Sequence, residues 1–255
     1  MRSSLIDPHE LIPPSAFYKG AWGKHWPEFE GTIYEADIVD NNEHGPADDD
    51  VDGPLAHELR VPPEFKYRFF RGMKEITSLA DLNPSTGDVL VIREEYEKLL
   101  EALQKEAHMY PLTRRFIVTG HPGIGSCECW FQSQGVLIPI PFLGKTTFLF
   151  YHLVRRLELK LPTAVQLNSK YYLIFDEQGA TVHPPGVGDE RLEKCWALAD
   201  SDEYVTPPFD AFKRAECVML TTSQNFDKWE RWKTHGNGTW IVMNLPSVPE
   251  IAAVL

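Results

Sequence analysis

Between Arg114 and Leu157 two segments read as halves of one phosphate-binding loop with nineteen residues set between them, and nothing else in the chain restricts the fold as tightly. The first half is a β-branched run, Arg115-Phe116-Ile117-Val118-Thr119, leading into Gly120-His121-Pro122-Gly123-Ile124-Gly125. The second is Lys145-Thr146-Thr147, which opens a segment with Leu149, Leu153 and Leu157 at helical spacing. Joined end to end they read G-H-P-G-I-G-K-T-T, matching G-x-x-x-x-G-K-[ST] in the strand, turn and helix context that this loop requires. Glycines let consecutive backbone N–H groups and a helix N-terminus face anionic oxygen. The pattern therefore predicts a nucleoside triphosphate, ATP, held by residues 120–125 with Lys145, Thr146 and Thr147. Lys145 is expected on the β- and γ-phosphates, and the Thr146 hydroxyl on Mg²⁺.

The intervening residues 126–144 have neither the polarity of a surface loop nor the period of a regular element, and they read as translated intron. The run Leu137-Ile138-Pro139-Ile140-Pro141-Phe142-Leu143-Gly144 can be encoded by a pyrimidine-rich tract ending in a 3′ splice site. Gly125 with Ser126 can hide a donor in the matching phase. The alternative is a genuine insertion. In either case the insertion is expected to impair phosphate capture, because nothing covalent keeps Lys145 beside the glycine turn.

Apolar residues make up 43% of the 255 positions, which is ordinary for a globular protein with a real core. The net charge of −12 argues against nucleic-acid binding through the bulk surface, so an anionic ligand needs a local positive site. Two of the four cysteines, Cys127 and Cys129, lie in the insertion, and Cys195 and Cys217 alone build no disulfide framework or zinc spacing. They are read as small core residues of a reduced intracellular protein, cytoplasmic or nuclear. The N-terminus shows no secretory signal and no apolar run reaches bilayer length, so no membrane partner is expected.

Residues 1–87 are rich in proline, aromatics and acids with little periodicity, and read as a loop-rich, partly disordered cover anchored by Phe17, Tyr18, Trp22, Trp26 and Phe29. Gly45 to Pro54 reads as a solvated linker. From 88 to 255 strands and helices alternate: a strand at 88–92, a helix at 94–108, the strand before the loop, the helix after it, strands at 164–167 and 171–175, and buried strands ending at Asp200 and Ser223. His152 reads as a helix-surface histidine. Two acids compete as the second Mg²⁺ ligand at a strand end, Asp176 on local pattern and Asp200 on distance from Lys145, with distance favoured. Glu177 and Glu203 are both candidates for the base that activates water. Thr222 lies where a polar group would sense the γ-phosphate.

The segment Val91-Ile92-Arg93-Glu94-Glu95-Tyr96, the split loop, Phe175-Asp176-Glu177-Gln178-Gly179, Trp196 to Asp200 and Trp229 to Lys233 together resemble fungal P-loop ATPases related to the Crinkler and retrotransposon-hot-spot proteins. The resemblance spans about residues 88–255 and implies an ASCE-type ATP-hydrolysing core similar to AAA and STAND proteins. It implies an α/β three-layer P-loop NTPase sandwich with a mostly parallel sheet, truncated before the C-terminal helical region such proteins usually carry. A degenerate relative that keeps the fold and acts as a non-catalytic regulatory or interaction module is the alternative.

Overall fold

The structure is a computed structural model, and it describes residues 14–34, 63–74, 88–110, 115–120, 130–133, 136–139, 144–201, 207–222, 226–234 and 237–253. In chain order these form α1 (Pro14–Ala21), β1 (Glu28–Tyr34), β2 (Glu64–Arg71), β3 (Val89–Ile92), α2 (Glu94–Met109), β4 (Arg115–Gly120), β5 (Trp130–Ser133), β6 (Val136–Pro139) and α3 (Lys145–Glu158). They continue with β7 (Thr163–Gln166), β8 (Tyr172–Asp176), β9 (Gly179–His183), β10 (Trp196–Ser201), β11 (Cys217–Thr222), α4 (Phe226–Thr234), β12 (Thr239–Met243) and α5 (Val248–Ala252), with 3₁₀ turns at Glu190–Lys194 and Asp210–Arg214.

The centre is a seven-stranded sheet in the order β12-β4-β11-β10-β7-β8-β9. Strands β12, β4, β11, β10 and β7 are mutually parallel, whereas β7–β8 and β8–β9 are antiparallel. Alternation splits the strands between two cores. Phe116, Val118, Trp196, Leu198, Cys217 and Met219 face α3, and Ile117, Ala197, Ala199, Val218 and Leu220 face Leu192, Phe212 and Trp229.

The expected three-layer P-loop sandwich on a mostly parallel sheet is corrected by this topology. Five of the nine strand pairings among the described residues are antiparallel, and the large sheet is mixed. The physical reason is connection length: a parallel crossover takes a dozen or more residues, usually a helix. Only residues 167–171 join β7 to β8, and Glu177 and Gln178 join β8 to β9, closed by Gly179 at φ 115°. Among the described residues, the face away from α3 carries two short 3₁₀ helices and the short α4 in place of a full helical layer.

Within the described part of residues 1–87 regular elements are present. β1, β2 and β3 form an antiparallel sheet, so the strand read at 88–92 pairs with β2 and not with the central sheet. The aromatics do anchor this region, but through regular elements. Phe17 of α1 meets Phe175 edge-on at 5.7 Å, and Tyr18 Oη donates to the Asp176 carbonyl at 2.7 Å. Arg155 of α3 ion-pairs with Glu28 and lies 5.0 Å over the Phe70 ring. The linker read at Gly45 to Pro54 lies outside the described residues.

The central sheet removes His152 from the surface. α3 is buried on nearly every side, and His152 is 1% exposed, with Nδ1 3.3 Å from Met219 Sδ and Trp196 edge-on at 5.7 Å. Cys195 and Cys217 are buried free thiols, as their reading as core residues requires. No helix among the described residues is long and apolar enough to cross a membrane.

Candidate functional site

The carboxyl ends of the parallel strands converge on the first turn of α3. β4 ends at Gly120, and α3 begins at Lys145, which is 6% exposed beside the nearly buried Thr147. Thr146 faces the end of β10, where its hydroxyl donates to Asp200 Oδ2 at 2.8 Å. The other carboxylate oxygen, Oδ1, accepts from the Thr221 hydroxyl at 2.6 Å. One carboxylate therefore sits between two threonines from different elements. The register explains why: Asp200 pairs with Thr221 and lies two residues beyond Leu198, on the face that packs against α3.

Strand direction separates the two competing aspartates. Asp200 is at the carboxyl end of β10, whereas β8 runs the opposite way, with Phe175 level with Thr163 and Trp196. Asp176 is one residue further along β8, so it lies five residue steps, about 16 Å along the strands, from Asp200. Its carboxylate is fully engaged there. It accepts from Arg191 Nε at 2.6 Å, from Arg191 Nη2, and from the Gln178 N–H at 2.8 Å. Arg191 also donates to Thr181 Oγ1 and the Gly179 carbonyl, so the cluster is a clamp on the β8–β9 hairpin. Glu177, exposed in that hairpin turn, is carried to the same wrong end of the sheet. Asp176 and Glu177 are thus not brought to Thr146. Glu203 and His121, Pro122, Gly123, Ile124 and Gly125 lie outside the described residues.

Thr221 was not singled out by sequence reasoning, which placed the sensing role on Thr222. The two are adjacent in a strand and point to opposite faces, so a one-residue register decides between them. Thr222, 2% exposed, pairs with Ser201 in the row beyond Asp200 and shares the face of Leu220. The usable signal was the spacing from Met219, which packs against α3. The segment 126–144, read as lacking any periodic element, contains the β5–β6 ladder, with Trp130 opposite Pro139 and Ser133 opposite Val136. This two-stranded sheet is separate from the central one.

Among the described residues no three His, Cys, Asp or Glu side chains converge as a metal cage. The donor set that is present, one hydroxyl and one carboxylate, still suits a hard cation that keeps most of its waters or shares phosphate oxygens. The 2.8 Å between Thr146 Oγ1 and Asp200 Oδ2 is close to the roughly 3.0 Å that separates neighbouring oxygen ligands of an octahedral Mg²⁺. Thr146 and Asp200 would hold it, and the ion would supply charge neutralisation for phosphate oxygens. Comparison with protein-family models, curated proteins and solved structures finds no match, so the meaning of this site rests on its own residues.

Proposed function

We propose that this edge of the sheet is a nucleoside-triphosphate site, with ATP and Mg²⁺ as its ligands, derived from an ATP-hydrolysing ancestor of the kind the loop residues resemble. The observation that carries the reading is the Thr146–Asp200–Thr221 contact. A lysine-threonine helix start faces a strand-terminal aspartate, and the two were 54 residues apart in sequence. Lys145 takes the phosphates, the Gly120 end of β4 leads into the glycine turn, and Thr146 with Asp200 orients the cation. Binding is better supported than turnover. Of the two candidate bases Glu177 is at the far end of the sheet, which leaves Glu203 for that role. The buried thiols Cys195 and Cys217 suit a reducing, intracellular setting.

Residues 126–144 stand between the two halves of the loop and weaken capture. Titrating Mg²⁺–ATP against the full chain, a Lys145→Ala variant and a variant lacking residues 126–144 tests this directly. The deletion is expected to bind tighter than the full chain by about tenfold or more, the equivalent of one charge-assisted hydrogen bond. Lys145→Ala should abolish binding in both backgrounds. Equal affinity for the full chain and the deletion overturns the impairment, and undiminished binding by Lys145→Ala overturns the site. A non-catalytic module is the second reading, favoured by the placement of Glu177; binding without turnover in the deletion variant would establish it.

A further inference from the structure

The start of α3 has no side-chain cap of its own. Its N-cap is Gly144, in extended conformation, whose carbonyl accepts the first helical hydrogen bond from the Phe148 N–H at 3.0 Å. A second donor reaches the same carbonyl from another helix. Tyr96 Oη of α2 donates to Gly144 O at 3.3 Å. Gly144 immediately precedes Lys145, and Phe148 follows Thr146 by two residues. Tyr96 therefore meets the chain on both sides of the pair assigned to phosphate and cation, with its hydroxyl at Gly144 and its ring at Phe148.

Tyr96 is itself held firmly. It is 0% exposed, with its ring 5.7 Å from those of Phe148 and Tyr151. The Arg93 guanidinium lies 5.4 Å over its face. Arg93 in turn ion-pairs with Glu250 at 3.2 Å and donates to the Asn244 carbonyl at 3.2 Å, while Glu95 accepts from the Asn244 N–H at 3.0 Å. The phenol is thus anchored to α2, to the end of β12 and to α5 before it reaches α3.

The geometry points to Tyr96 as a positioning residue that sets the direction of Lys145 and Thr146 without touching the ligand. This rests on the reading of those two as phosphate and cation ligands. A helix N-terminus aims its free N–H groups only as well as its first turn is fixed. Gly144 supplies no side chain to fix it, and Tyr96 does so from outside.

Tyr96→Phe removes the hydroxyl and keeps the ring, so it is expected to fold. Hydrogen–deuterium exchange of the full chain should then rise about fivefold at Lys145–Phe148, the factor for one neutral hydrogen bond, with Arg155–Leu157 at the other end of α3 unchanged. Mg²⁺–ATP affinity, measured in the full chain and in the variant lacking residues 126–144, should fall by a similar factor. Unchanged exchange at the helix start, or a rise spread evenly along α3, overturns the proposal. So does unchanged affinity in a chain that loses binding on Lys145→Ala. Exchange that rises at the helix start in a protein that ignores Mg²⁺–ATP overturns the nucleotide reading instead, and with it the positioning role.

Discussion

Asp176→Asn and Asp200→Asn are the same chemical change with opposite expected consequences. Asp176 and Arg191 have side chains only 10% and 13% exposed, and the carboxylate accepts from two guanidinium nitrogens and the Gln178 N–H. Asparagine keeps one acceptor and turns an NH₂ toward the guanidinium. Losing one charge-assisted bond costs about 1.5–3 kcal/mol, and breaking a buried pair outright about 3–5 kcal/mol, so about 3 kcal/mol is expected. For a chain of this size that lowers Tm by roughly 6–12 °C. Asp200 is held by two hydroxyls, each of which can turn from donor to acceptor. Two bonds weakened from charged to neutral cost at most about 2 kcal/mol. Thermal denaturation with and without Mg²⁺–ATP reads both effects. Asp176→Asn should lower Tm and keep the ligand-induced rise, and Asp200→Asn should nearly keep Tm and lose the Mg²⁺-dependent part of the rise. If Asp176→Asn abolishes that part while Asp200→Asn retains it, the placement of the metal ligand by strand direction is wrong.

Burial, with the Arg156 charge beside it, holds the His152 pKa well below its usual value. The folded state therefore resists the proton that the unfolded chain takes up, and stability should be full above about pH 6.5 and fall by up to about 1.4 kcal/mol per pH unit below it. His152→Leu should flatten that part of a Tm-against-pH curve by one proton, and an unaltered slope would contradict the burial. Burial pushes the Cys195 thiol up to about 12, so alkylation mapped by mass spectrometry should find it inert in the native protein and labelled once the chain is unfolded. Phe17→Ala should cost about 3–5 kcal/mol, because Phe17 is 3% exposed against Phe175 and Trp26. A loss below 1 kcal/mol in chemical denaturation would contradict the anchoring of this region by Phe17.

Local pattern was enough for α2, whose buried face is Tyr96, Leu99 and Leu103, and for the apolar strands that became β4, β10 and β11. Interval counting also favoured Asp200 over Asp176, since it measures the room a crossover needs. What stayed hidden depends on neighbours distant in sequence. α3 shows a leucine stripe on one side, but the central sheet also takes His152 and Arg156, against Met219, Trp196 and Thr163, and a second sheet takes Tyr151 and Arg155, against Phe70 and Glu28. β1 reads Glu-Phe-Glu-Gly-Thr-Ile-Tyr, a half-exposed strand whose identity depends on pairing with β2 some forty residues on. The direction of β8, which decides the fate of Asp176 and Glu177, was legible in part: the short link after Gln166 allowed a hairpin as well as two successive sheet strands, and the antiparallel pairing with β7 is the hairpin.

The seating of α1 against β8 has a consequence in time. Tyr18 and Asp176 are 158 positions apart, and the ribosome takes roughly 8–30 s to cover that distance at 5–20 residues per second. Throughout that interval Phe17 waits without the Phe175 ring it later packs against, and the loop closure that joins them is among the longest made by the described residues. Nascent chains shorter than about 180 residues should therefore be the species most prone to capture by chaperones, and the N-terminal helix the last part to gain protection from proteases.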